Sequence, residues 1–246
     1  MITATLRGRM CNQMFQIATV IAHAYRMGTG YMLPQRSGKR NQFPMMFPHL
    51  RLDEQEPYNQ IVYIEPTFGI YQSLPLEDNL HLKGYFQSEL YFKEYREQII
   101  QFFDIPSFKT KNKVVSLHIR RGDYIKLEDK HPQPTNKYLN EAFEYFSNYQ
   151  IEIFSDDILW CKNKFRGDRF IFNETIDPKI ALGQMASCEN NIIVNSTFSW
   201  WGAWLNLNQN KKVICPSSDN WFGGEWKFRL SAQDIPCKDW IQIKYF

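Results

Sequence analysis

The 246-residue chain is 43% apolar and 16% aromatic and carries a formal charge of +3. That composition excludes a disordered chain, and so small a charge excludes a polyelectrolyte grip on nucleic acid as the main function. Five cysteines, an odd number with no CxxC pair and no Cys/His ligand spacing, read as reduced buried thiols of a cytosolic protein with no metal site.

In chain order, ITATL (2–6) predicts a strand, RGRMC (7–11) a turn, and 12–28 a helix, capped by Asn12 and stopped by Gly28. Residues 34–60, rich in Pro, Arg, Asn and Gln, read as irregular. YNQIVYIEP and NLHLKGYFQS suit further strands, and 90–103 a helix. The Pro-containing, basic DIPSFKTKNK (104–113) marks a junction, dividing the chain into domains 1–108 and 109–246. Beyond it, strands at 114–118, 150–155, 169–172, 191–194 and 212–215 alternate with helices at 136–148, 157–164, 177–188 and 197–207. Such β-α alternation predicts an α/β fold with a doubly wound parallel sheet whose ligand lies at the carboxyl ends of the strands.

Those strand ends carry the polar residues. HIRRGDY delivers His118, Arg120, Arg121 and Asp123; SDD delivers Asp156 and Asp157; NSTFSWW delivers Ser196, Thr197, Phe198 and Ser199. Guanidinium forks beside a helix N-terminus rich in hydroxyls suit a diphosphate. Either pattern alone is equally a surface ion-pair cluster or a capped helix, and the coincidence of the two favours the anion site. Asp156 or Asp157 suits hydrogen bonds from a purine or ribose, with N-capping of the following helix as the alternative. The tripeptide Arg121-Gly122-Asp123 matches an adhesion motif, a coincidence in a chain whose N-terminus has no signal-peptide core. In GRMCNQMFQIA, Asn12 can cap the helix, and Gln13 and Gln16 are placed to reach a cleft.

GRMCNQMFQIA, HIRRGDY and NSTFSWWGAWL, in that order and with GYFQS and PCKDW, resemble the α-1,2-fucosyltransferases, glycosyltransferase family eleven. The resemblance implies two facing Rossmann-like halves (GT-B), with GDP-fucose in the C-terminal half and the acceptor against the N-terminal one. It implies that His118 contacts the nucleotide, Arg120 the diphosphate, Asp156 or Asp157 the guanine or ribose, and Ser196 to Ser199 the phosphate and fucose. Arg121 would support the motif, while Asn12 and Gln13 would face the cleft. Cys11 stands where the family usually has glycine, which would strain the turn if that position had positive φ.

The implied reaction is an inverting, metal-independent and cofactor-free transfer of fucose from GDP-fucose to the 2-hydroxyl of a terminal galactose on a glycan. Arg120 and the helix N-terminus would stabilise the departing diphosphate. Asp123 is the first candidate for general base, and Glu128, ten residues beyond His118, the second. The alternatives are another GDP-sugar transferase, such as an α-1,6- or O-fucosyltransferase, and a non-catalytic glycan- or nucleotide-binding module. No nucleic-acid partner is expected. Six Lys/Arg and no Asp/Glu in the first fifty residues suit peripheral association with an anionic membrane face, as well as a solvated face balanced elsewhere. The oligomeric state is not legible.

Overall fold

The computed structural model describes residues 1–34, 47, 52, 53 and 60–246. They form two compact units, one of residues 1–104 with 233–237, the other of 105–232 with 238–246. The irregular segment predicted at 34–60 falls largely outside the described residues, as do Arg36, Lys39 and Arg40 of the basic N-terminal stretch.

In the first unit, β1 (Ile2–Ala4), β5 (Leu80–Lys83) and β4 (Ile61–Ile64) make a parallel sheet in that order, and β2 (Leu33–Pro34) pairs with β3 (Leu52–Asp53). Helix α1 (Met10–Met27) buries Met14, Phe15, Ile17, Ala18 and Ile21 at 0% exposure. It ends at Gly28, whose φ of 62° places it in the left-handed region that glycine enters without steric cost. The helix begins two residues earlier than the sequence predicts, with Arg9 at the N-cap position, so Asn12 lies inside the first turn and caps nothing. The helix predicted at 90–103 is two 3₁₀ turns, Glu89–Tyr91 and Lys93–Tyr95, followed by α2 (Arg96–Phe103).

The second unit holds six parallel strands: β6 (Lys111–Ile119), β7 (Gln150–Ser155), β8 (Phe170–Phe172), β9 (Cys188–Ile192), β10 (Val213–Pro216) and β11 (Ile241–Ile243). Their spatial order is β11-β10-β9-β6-β7-β8. The chain therefore winds outward from β6 to one edge, returns to β9, and winds to the other. This leaves a topological switch between β6 and β9, where ligands of such sheets bind. Val115, Leu117, Ile151, Ile153, Ile192 and Ile214 fill the core. β6 begins earlier than predicted because Lys111 N donates to Ser187 O at 2.8 Å and Lys111 Nζ pairs with the buried Glu152 at 2.6 Å.

Helices α3 (Asn136–Glu144), α4 (Ile158–Lys164) and α5 (Pro178–Ala186) each start on a side chain that accepts a backbone N–H: Thr135, Asp157 and Asp177. Pro178 at the first position of α5 suits its fixed φ. Helix α6 (Thr197–Trp204) is anchored by Trp200, Trp201 and Trp204, at most 2% exposed. A short α7 (Trp226–Arg229) follows β10. Among the described residues no helix is long and apolar enough to cross a membrane.

Candidate functional site

The switch point gathers the motif residues of the second unit. β6 runs into His118, whose ring is 4% exposed. Its Nδ1 shares a 2.5 Å hydrogen bond with Ser199 Oγ on the first turn of α6, and Phe198 lies against the ring at 5.0 Å. Burial, and then the nearby Arg120, pushes the imidazole pKa down to about 3, so His118 is neutral at physiological pH. This contact ties the end of β6 to the start of α6, which are 81 residues apart in sequence.

Arg120 is held as a fork. Nη2 donates to Asp123 Oδ1 at 2.5 Å and Nη1 pairs with Asp156 Oδ2 at 2.8 Å. Its side chain remains 20% exposed, so it is fixed without being sealed off. Arg121 points elsewhere: its backbone N–H donates to Asp156 Oδ1 at 2.8 Å, and its Nε pairs with Asp157 Oδ2 at 3.1 Å. The Arg121 guanidinium carbon lies over Trp160, 3.7 Å from the ring centroid. Asp156 thus organises the arginine loop from the neighbouring strand, while Asp157 both holds Arg121 and caps α4 through Trp160 N at 3.2 Å. Gly122 is required by this packing, because a Cβ there would stand 2.4 Å from Asp156 Oδ2.

Helix α6 presents an N-terminus to the same edge. Ser196 occupies the N-cap position with extended backbone (φ −129°, ψ 132°), yet its side chain makes no capping hydrogen bond. Asn195, Ser196 and Ser199 are buried, and Thr197 and Phe198 half-buried. A helix N-terminus whose cap hydroxyl is uncommitted, next to a positioned guanidinium, can accept an anion. Of the two candidate bases, Asp123 is engaged by Arg120. Glu128 is exposed at the end of the 3₁₀ segment Gly122–Leu127 and makes no ion pair or hydrogen bond to a described residue. Among the described residues no three His, Cys, Asp or Glu side chains gather as a metal site.

In the first unit, the predicted outward reach of the glutamines is corrected. Gln16 is fully buried and its amide closes on the Arg7 backbone, accepting from Arg7 N at 2.7 Å and donating to Arg7 O at 3.0 Å. Gln13 donates to Gly8 O at 3.0 Å, and its Oε1 is buried without a hydrogen-bond partner. Asn12 accepts from Gln87 Nε2 at 3.2 Å and packs against Gly8. These amides shape the turn after β1. Cys11 lies in the helix without positive φ; the left-handed position is Gly8 at φ 78°, so the cysteine strains nothing.

Trp160, Gly122 and the ring pair Tyr124–His131 (centroids 4.0 Å apart, planes 7° off parallel) complete the site and are missed by motif reading. Only the Trp three residues after the SDD run, one turn into a predicted helix, is a signal the sequence offers in advance.

The sequence profile of Glycosyl transferase family 11 matches residues 54–244. The chain is 33% identical over 196 residues to the O-antigen biosynthesis glycosyltransferase WbnK of Escherichia coli, covering 69% of this chain and 63% of WbnK. It is 28% identical over 295 aligned residues to an alpha-1,2-colitosyltransferase of Escherichia coli, covering 99% of each. To galactoside alpha-(1,2)-fucosyltransferase 1 of Sus scrofa it is 25% identical over 234 residues, 80% of this chain and 63% of that protein. The chain therefore spans less than two thirds of the length of the first and third of these relatives. Among solved structures it is similar to the NodZ alpha-1,6-fucosyltransferase soaked with GDP-fucose, with TM-score 0.51 and 11% identity over 89% of this chain and 96% of NodZ. That likeness shows the fold: α/β, GT-B-like, with parallel sheets.

Proposed function

The chain belongs to glycosyltransferase family 11, and from that premise we propose that it moves fucose from GDP-fucose to the 2-hydroxyl of a terminal galactose on a surface glycan, with inversion. The observation that carries the reading is the Arg120 fork, braced by Asp123 and Asp156 beside the uncommitted N-terminus of α6. A braced guanidinium and a ring of hydroxyls and backbone N–H groups match a diphosphate whose charge grows as the sugar departs. The relatives that act on the α-1,2 position support the linkage, and the O-antigen relative supports a surface polysaccharide as acceptor.

In this mechanism, Arg120 and the 196–199 turn take up the leaving-group charge. His118, neutral and fixed on Ser199, faces the nucleotide as a hydrogen-bonding group and does not transfer a proton. Asp156 or Asp157 receives hydrogen bonds from guanine or ribose, and the half-buried Asn12 lines the acceptor side. The transfer needs no cofactor and no divalent ion. Both carboxylates of the SDD run are engaged by Arg120 and Arg121, which makes them poor ligands for a divalent ion. Asp123 is the first base candidate, although Arg120 already engages it; Glu128 is the second. In pH–rate profiles of Asp123→Asn and Glu128→Gln, only loss of the true base removes the acidic limb.

A second reading concerns the donor. The likeness to a colitosyltransferase runs through 99% of both chains, which favours a colitosyl donor at the same diphosphate site. We place the enzyme in the cytoplasm, peripherally at the inner membrane face. The deciding assay follows GDP release from GDP-fucose with lactose or N-acetyllactosamine, with EDTA and with Mg²⁺ in parallel, and then with the colitosyl donor. EDTA-resistant, acceptor-stimulated release with a 2-linked fucose in the product is expected. Release only from the colitosyl donor reassigns the sugar, and absence of GDP-fucose binding removes the reading.

A further inference from the structure

The loop between the arginine motif and α3 contains an aromatic stack that donor contacts do not account for. Tyr124 and His131 lie face to face with centroids 4.0 Å apart. Trp226 meets the His131 ring edge-on at 5.0 Å and 82°, and Phe222 flanks it at 6.3 Å. The Arg120 guanidinium carbon sits 5.8 Å from the Tyr124 ring centroid. The Tyr124 hydroxyl donates to the carbonyl of Asn195 at 3.4 Å, one residue before the Ser196 N-cap, and Asn195 Nδ2 donates to Trp221 O at 3.0 Å. Gly223 N in turn donates to Lys130 O at 2.9 Å, and a Cβ on Gly223 would stand 2.5 Å from Asp129 O. One ring pair therefore touches the loops that follow β6, β9 and β10.

We propose, resting on the donor-site reading above, that the Tyr124–His131 stack is a positioning element: it sets the separation between the Arg120 guanidinium and the Ser196–Ser199 turn, and His131 acts through Tyr124 without touching the donor. A rigid aromatic spacer suits that task, because leaving-group stabilisation depends on donors being fixed before charge develops. The imidazole contributes as a ring. Its Nδ1 is buried without a hydrogen-bond partner among the described residues, and burial, aided by Arg120 and opposed by Asp123 and Asp129, pushes its pKa down to about 4. A buried unpaired nitrogen is unfavourable, so a phenyl ring at this position keeps the stack and removes the penalty.

The test begins with GDP-fucose binding and turnover by the wild-type chain. If the wild type does not bind, the donor-site reading falls and this inference with it; failure of the inference alone appears only in the variants. His131→Ala is expected to lose about ten- to a hundredfold in kcat/KM for the donor, with the acceptor KM within about twofold, because small displacements of fixed catalytic groups cost rates of that order. His131→Phe is expected to stay within about threefold of wild type and to melt at a higher temperature, since the unpaired nitrogen is gone. Wild-type kcat/KM in His131→Ala overturns the proposal. So does a His131→Phe enzyme as slow as His131→Ala, which would give the imidazole a chemical role. Should His131→Ala fail to fold, Tyr124→Phe decides. It keeps the rings and loses the bond to Asn195, with an expected drop of about three- to tenfold from one neutral hydrogen bond, and an unchanged value overturns the proposal.

Discussion

Lowering the pH from 8 to 5 protonates, in the unfolded chain only, three histidines that the fold holds uncharged: His118, His23 and the His131 of the aromatic stack. His118 is 4% exposed and pushed down to about 3 by burial and then Arg120. His23 on α1 is fully buried and pushed down to about 4 by burial and then Arg26, against a smaller opposing contribution from the Pro75 carbonyl. In the unfolded chain all three, His131 included, return to about 6.5. Between those values the unfolded state binds more protons than the folded one. Stability is therefore fully present above pH 6.5, falls as the pH drops through it, and levels off only below the folded values. At pH 5, about 1.5 units below the unfolded pKa, each site costs about 2 kcal/mol, and the three together about 6 kcal/mol. Against the roughly 5–15 kcal/mol of an ordinary domain, that is a large fraction. Urea unfolding at constant ionic strength, repeated from pH 8 to 5, measures it. His118→Asn, whose amide replaces Nδ1 toward Ser199, should shrink the pH 8 to pH 5 difference by about 2 kcal/mol. Parallel losses in wild type and variant would refute the buried-neutral account.

Arg120→Ala should lower kcat/KM by about 10²–10³ with circular dichroism unchanged, as for removal of one preorganised leaving-group donor; near wild-type turnover removes Arg120 from the chemistry. Gly122→Ala forces a Cβ to within 2.4 Å of Asp156 Oδ2. It should cut donor kcat/KM at least about tenfold through the Arg120–Asp156 contact, and an unchanged value would detach that contact from the working site. Trp160→Ala removes the surface beneath the Arg121 guanidinium and should cost about 1–2 kcal/mol of stability. Its donor KM should rise while kcat holds, and a fall in kcat alone would contradict a supporting role for Arg121.

The second unit is the more legible half, and particular residues show why. Each of its early helices opens on a short polar cap, Thr135, Asp157 or Asp177, and the strands before them are short segments carrying buried or half-buried apolar residues. β11 is missed because Ile241-Gln242-Ile243 is three residues long and earns its place only by pairing with β10. In the first unit the start of α1 is misplaced because Asn12 looks like a cap. Its amide instead serves Gln87, 75 residues away, and no local signal announces that. Burial turns Gln16 inward for the same reason: its partner, the Arg7 backbone, exists only once the turn is folded. At the site, His118, Arg120, Asp156 and Ser199 are legible as strand-end polar residues. Trp160, Gly122 and His131 are not, because stacking and steric fit depend on distances that residue type does not encode.

The excursion of residues 233–237 into the first unit has a consequence for dissecting the protein. Asp234 accepts a hydrogen bond from Tyr71 N at 2.8 Å and donates one to Gly69 O at 3.0 Å, while Ile235 and Cys237 are at most 5% exposed. Cutting the chain after Asp104 therefore does not yield two autonomous pieces. The amino-terminal fragment loses a five-residue plug that lies more than a hundred positions downstream, and the carboxyl-terminal fragment keeps that plug with nothing to cover it. Halves made separately should be recovered as soluble protein only when co-produced. A swap of one half between relatives must carry these five residues with the amino-terminal part, not with the carboxyl-terminal part in which the numbering puts them.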